Sequence, residues 1–210
     1  MLLFKKSFTI YKKIALLSFI ATCFLTACEN KSEHQLPAWH GLDIANSLPT
    51  NSINTWQLSS TLPNEKKVGV PQFRGKAVLL FFGYMQCPDI CPTTLAMLAR
   101  LHKQLGNESS KLQVVFVTVD PERDQLPLLK QYVTQFDPSF IGLRGSLEET
   151  RDVTERFKVF FQKAQSSGTY NVDHSSSIFL IDRAGKVQAL MPNTLSEKDA
   201  LEDIKVLLTL

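Results

Sequence analysis

The sequence predicts an α/β domain with a mostly parallel central sheet flanked by helices. Three observations carry that prediction. Residues 77–82 (AVLLFF) and 112–119 (LQVVFVTV) are apolar runs without alternation, as strands covered on both faces require. Segments with apolar residues at helical spacing lie between and after them. Hydrophobic residues make up 44% of the chain and charged residues 20%, a balance that supports a packed core.

The elements follow in order. Residues 53–70 hold short segments around the polar turn Pro63-Asn64-Glu65-Lys66, which predicts an N-terminal β-hairpin. The strand at 77–82 runs into a loop with two cysteines. A helix follows, with Leu95, Leu98, Leu101 and Leu105 on one stripe, Pro92 in its first turn and Gly106 closing it. After the strand at 112–119, Asp124 is placed to cap a helix whose stripe is Leu126, Leu129, Val133 and Phe136. A short strand is expected at 140–143. Ser146-Leu147-Glu148-Glu149 is a capping box, and the helix it opens should turn Val153, Phe157, Phe160 and Ala164 inward. Phe157, Phe160 and Phe161 imply core packing. Residues 177–181 and 186–191 flank the turn Asp182-Arg183-Ala184-Gly185 as an antiparallel hairpin. Ser196 caps a last helix with Leu201, Ile204 and Leu208 apolar. The order βαβαβαββα, ending in an antiparallel hairpin and a helix, is that of a thioredoxin-like fold.

The N-terminus has a different chemistry. Four lysines (Lys5, Lys6, Lys12, Lys13) precede an apolar stretch of 14 residues, 14–27, which is short for a bilayer of roughly 30 Å. It ends Leu25-Thr26-Ala27-Cys28, which looks like a bacterial lipobox with Cys28 as the lipidated residue. The expected organisation is a signal peptide over 1–27, a lipidated N-terminus and tether over 28–52, and a thioredoxin-like domain over 53–210. The domain then lies on the exported, periplasmic side of a bacterial membrane, and the lipid is its membrane contact. The chain has 23 basic and 20 acidic residues; without those four lysines, 19 basic residues face 20 acidic ones. Net charge therefore gives no case for nucleic-acid binding.

With Cys23 in the removed segment and Cys28 lipidated, Cys87 and Cys91 are the cysteines of the folded part. They stand in Cys87-Pro88-Asp89-Ile90-Cys91-Pro92, beside the start of a helix whose dipole favours thiolate. Thiolates attack disulfides and bind soft metals. A plain disulfide would close a very small loop and restrain little of the unfolded chain. The spacing C-x-x-x-C is not the C-x-x-C of ordinary thioredoxins. His174 enters the strand at 177–181, and in this fold that point faces the cysteine loop. Cys87, Cys91 and His174 are thus candidate ligands of a soft metal such as copper. No proline stands between Pro138 and Pro192, so the proline that oxidoreductases of this fold place before that strand is absent.

The segments FFGYMQCPDICPTTL, VTVDPERD and VDHSSSIFLID resemble those of the SCO/SenC family of copper chaperones, in order, over roughly residues 55–208. The resemblance implies a thioredoxin-like fold with copper held by Cys87, Cys91 and His174. It implies help in assembling the copper centre of cytochrome c oxidase, by delivering copper or by keeping the oxidase cysteines reduced. Partners would be the copper-site subunit of that oxidase and other copper carriers. A thiol–disulfide reductase, with Cys87 and Cys91 as a catalytic dithiol, is the alternative. A peroxide-metabolising enzyme is a weaker one, because the double-proline loop lacks an activating Thr and Arg. The family commonly has Thr-His before the first cysteine; this chain has Met85-Gln86, and Met85 is expected as an apolar loop residue. Asp120 and Arg123 are left open between a partner-facing rim and local ion pairs, as is Asp89 between a role at the thiolates and a solvent-facing turn. His34, His40 and His102 are expected as bystanders.

Overall fold

The computed structural model describes residues 38–166 and 169–210. In chain order these form β1 (Leu42–Asp43), α1 (Thr50–Ile53), β2 (Leu58–Ser60), β3 (Lys67–Val68) and β4 (Ala77–Gly83). There follow α2 (Ile90–Gln104), β5 (Leu112–Thr118), α3 (Leu126–Thr134), β6 (Ile141–Arg144) and α4 (Leu147–Arg156). The chain ends in β7 (Phe161–Ser166), β8 (Thr169–His174), β9 (Ile178–Ile181), β10 (Val187–Met191) and α5 (Glu197–Thr209).

An eight-stranded sheet takes the order β1-β10-β9-β4-β5-β6-β2-β3. Its centre is parallel, β4 with β5 and β5 with β6, and every flanking pair is antiparallel. All residues of β4 and β5 are buried. Successive side chains alternate between faces, so each strand feeds two cores. Leu79, Phe81, Val114 and Phe116 meet α2, α3 and α5 through Leu95, Leu98, Leu129, Val133, Ile204 and Leu207. Val78, Leu80, Phe82, Val115 and Val117 meet the other side, where Ile53 of α1 and Val153 of α4 lie with Val172 of β8. Helices on both faces of a sheet with a parallel centre give the thioredoxin-like architecture that the order of elements predicts.

Several expected local devices are present. The capping box at Ser146 and Glu149 is closed in both directions, and Ser196 caps α5 through the Asp199 amide. Gly106, at φ 54°, follows α2 in the left-handed region. The expected N-terminal hairpin forms as β2 and β3.

Two expectations need correction and a third is refined. First, the helix opened at Ser146 does not continue through Phe160. It ends at Arg156, and Lys158 turns left-handed at φ 57°. The chain then forms a separate two-stranded sheet, β7 with β8. Phe157 is buried, but Phe160 is 58% exposed. Second, residues 38–52 are not all tether. The compact unit begins at Ala38, and β1 adds to the sheet beside β10. The buried Asp203 carboxylate of α5 accepts the backbone N–H groups of His40 and Gly41 at 2.8 and 2.9 Å. Third, α5 turns Ala200, Ile204 and Leu207 fully inward, with Leu201 and Leu208 at the margin. The expected signal peptide at 1–27, Cys28 and His34 lie outside the described residues.

Candidate metal centre

The cysteine loop leaves the carboxyl end of β4, the central strand, and closes at the start of α2. Cys91 is the second residue of α2 and is fully buried, whereas Cys87 sits half-buried in the loop before it. Both thiols are free. Gly83 makes room for Cys91: a Cβ there would stand 2.5 Å from Cys91 Sγ and 2.8 Å from Phe116 Cε2.

The two sulfurs are electrostatically unequal. Cys87 is lowered to about 4, chiefly because the Cys91 thiol donates to it; burial opposes this, and the Cys91 and Asp89 backbone N–H groups reinforce it. Cys91 is pushed well up, by its own hydrogen bond to Cys87, by burial and by the neighbouring negative charge. The pair is thus biased in opposite directions, Cys87 toward thiolate and Cys91 toward thiol. Where the sequence points to the dipole of α2, the donors found are the individual backbone N–H groups of Asp89 and Cys91 at the helix start.

His174 is the last residue of β8. Its Nδ1 lies 2.9 Å from the Ser175 carbonyl oxygen, which can only accept, so this nitrogen donates and Nε2 is the one left facing the sulfurs. Nε2 stands 3.6 Å from Cys91 Sγ. The Phe81 and Tyr84 rings meet the imidazole edge-on at centroid distances of 6.4 and 5.8 Å and fix its plane. One ligand atom from each of Cys87, Cys91 and His174 lies within 4.8 Å of the others. Bonds of about 2.0–2.3 Å to a single ion would reach all three atoms after a small inward shift of the donors. Two sulfurs and one imidazole form a soft donor set, so the residues fit a soft transition metal.

The remaining candidates fall around this triangle. The Met85 side chain packs onto the core beneath the loop, and its N–H donates to Asp124 Oδ2 at 3.0 Å. Asp124 does not cap α3: Gln125 is the N-cap, without a side-chain bond. Asp124 is instead 0% exposed and also accepts from Thr118 Oγ1 at 2.6 Å. Burial raises it to about 6. It resembles a cap in sequence because its partners, Met85 and Thr118, belong to other elements. Asp120 is 1% exposed, pairs with Arg123 and accepts from the Tyr170 hydroxyl at 2.9 Å. The local ion-pair reading holds for these two residues. Asp89 is exposed in the loop. His40 pairs with Glu202 at 3.0 Å and His102 with Asp137 at 2.9 Å, neither of them at the triangle. Sequence reasoning missed the β7–β8 hairpin, although Tyr170, Val172 and His174 alternate at the strand period of two.

Comparison with known proteins identifies the family. The SCO1/SenC family model matches residues 47–209. The SCO2-like protein RP587 of Rickettsia prowazekii is 38% identical over 137 residues, 64% of this chain and 67% of that protein. The structure of Bradyrhizobium japonicum ScoI with copper bound superposes with a TM-score of 0.66 at 34% identity, covering 72% of this chain and 96% of that one. A SCO1/SenC family lipoprotein from Bacillus anthracis superposes at 0.63 with 28% identity, over 72% of this chain and 92% of that one. With the fold and the matched span in agreement, the chain belongs to the SCO1/SenC family.

Proposed function

We propose that this protein is a copper-binding metallochaperone that assists assembly of the copper centre of cytochrome c oxidase. The observation that carries the reading is the convergence of Cys87, Cys91 and His174 on one point at the carboxyl end of the central strand. Copper bound to ScoI, a relative of the same fold at 34% identity, supports the choice of metal. Copper held there gains two sulfur donors and one nitrogen, a set suited to either oxidation state. Cys87, held toward the thiolate, is the more open to solvent; Cys91, buried and held toward the thiol, would give up its proton as metal enters. The Ser175 carbonyl holds the His174 tautomer that presents Nε2. The client in this reading is the copper-site subunit of the oxidase, with other copper carriers as donors or acceptors.

The test is copper binding by a reduced soluble fragment starting at Glu29, with and without His174→Ala. The variant should bind copper at least tenfold more weakly while keeping most of its dithiol exchange. Unchanged copper affinity in the variant would remove the basis for the three-ligand site.

The inequality of the two thiols favours a second reading, thiol–disulfide exchange on the cysteines of an exported copper site. The Cys87 thiolate would attack a client disulfide, forming a mixed disulfide and releasing one client thiolate. Cys91, giving up its proton, would attack Cys87 sulfur, close the Cys87–Cys91 disulfide and release the second client thiolate. Two electrons pass to the client. A Cys87–Cys91 potential too oxidising to reduce such a client would exclude this reading.

We also propose that Cys28 carries a lipid that holds the domain at the periplasmic side of a bacterial membrane. The lysine-rich start, the apolar stretch and Leu25-Thr26-Ala27-Cys28 support it, as does the lipoprotein relative. Among the described residues no helix is long and apolar enough to cross a membrane. Cys28→Ser should abolish lipid labelling of the chain; labelling that persists would refute the assignment.

A further inference from the structure

The imidazole of the candidate site is carried by a hairpin outside the main sheet. Strands β7 and β8 pair with each other and with no other strand among the described residues. The base of the hairpin is tied by two bonds: Ser175 N–H to the Phe160 carbonyl at 3.0 Å, and Phe160 N–H to Ser175 Oγ at 3.1 Å. Two bonds at one end do not by themselves fix the swing of a hairpin; buried Val172 and the Lys163–Glu122 pair add contacts along it, and the segment around Tyr170 has an attachment of its own.

That attachment converges on Arg123. Its Nη1 donates to the Tyr170 carbonyl at 2.9 Å and to Gln86 Oε1 at 3.0 Å. Its Nε donates to Asp120. Its Cζ lies 3.7 Å from the centroid of the Tyr170 ring, within cation–π range. The Tyr170 hydroxyl closes the circuit by donating to Asp120 Oδ1 at 2.9 Å. Asp120 is itself fixed, since its N–H donates to Thr118 Oγ1 at 3.0 Å. One side chain thus joins three segments: the hairpin through Tyr170, the loop after β5 through Asp120, and the cysteine loop through Gln86. Tyr170 lies four residues before His174 on the same strand and therefore on the same face. A flexible ammonium could not bridge these acceptors and stack at once; a planar guanidinium can. Gln86, where the family commonly has histidine, serves here as an acceptor for Arg123.

We propose that Arg123 is the positioning residue of the metal site: through Tyr170, Asp120 and Gln86 it sets the hairpin so that His174 stands over Cys87 and Cys91. The proposal rests on the metal-binding reading of those three residues.

The test uses the full chain in detergent, reduced and metal-free, titrated with Cu(I) against a competing chelator. Arg123→Ala should weaken binding about tenfold to a hundredfold, the usual range for residues that orient a ligand. Arg123→Lys should fall between it and the wild type. The double variant Arg123→Ala/His174→Ala should bind no more weakly than His174→Ala alone, because Arg123 acts through that imidazole. Before metal is added, the His174 ring signals in a nitrogen–proton spectrum should shift in Arg123→Ala and lose their through-space contact to Cys91. Wild-type affinity in Arg123→Ala, or a loss that adds in full to that of His174→Ala, would overturn the proposal. Should His174→Ala bind copper normally, the metal reading fails, and the metal-free ring signals then decide the positioning role alone: an unmoved ring in Arg123→Ala refutes it. If Arg123→Ala does not fold, the same measurements on Arg123→Lys and Tyr170→Phe decide the matter, with wild-type values in both refuting it.

Discussion

The cysteine loop and the β7–β8 hairpin bring their donors to one point by opposite means. The loop grows from β4, buried at every residue, and enters α2, whose inner face is equally buried. The hairpin pairs with itself and reaches the body through its base, through Val172 and Tyr170, and through Arg123. The sulfurs therefore share the stability of the whole sheet, whereas the imidazole depends on a few local bonds. Local opening free energy follows such differences in burial and bonding. A site built this way can keep two candidate ligands fixed while the third moves.

This contrast can be broken at three points. The largest effect is expected behind the cysteines. Phe81 is fully buried between α2 and the His174 ring, and Phe81→Ala should cost about 3–5 kcal/mol in denaturant melts. A loss below about 1 kcal/mol would mean that the framework under the loop is not the rigid partner.

The next effect is a pH dependence from Asp124, which underpins the loop at Met85 N–H. Its folded pKa, about 6, is raised above its ordinary value of 3.8, chiefly by burial. The stability it contributes is therefore present below about pH 4 and lost as pH rises through about 6. Asp124→Asn removes this slope. Relative to the variant, the wild type should lose on the order of 2 kcal/mol between pH 4 and pH 7. Parallel stability curves for the two proteins would show that Asp124 does not titrate this way.

The smallest effect is expected at the hairpin entry. Phe160 is 58% exposed, and Phe160→Ser should change stability by no more than about 0.5 kcal/mol. A cost above about 1 kcal/mol would place the hairpin within the cooperative core and erase the contrast.

The same division explains what is legible in the sequence. The loop and its helix are legible because their signals are local: an unbroken apolar strand, prolines at the helix start, leucines at helical spacing. The capping box at Ser146 is legible for the same reason. The hairpin is hidden by a lysine, not a glycine, in the left-handed turn at 158, and by phenylalanines whose spacing imitates a helix. Residues 162–165 (QKAQ) have little strand propensity of their own. Asp124 and Asp203 look like ordinary polar residues. Each is buried by partners distant in sequence, Asp124 by Met85 and Asp203 by the amides of His40 and Gly41. The three donors can be picked out from residue type and position along the chain, but the bonds that hold His174 in place cannot.

The two ends of the large sheet are alike in one respect: β1 and β3 are each only two residues long. A border that short offers an approaching polypeptide few free amides and carbonyls to pair with. The eight strands are thus protected against accretion of further chains, which matters for any domain crowded among its own copies on a surface.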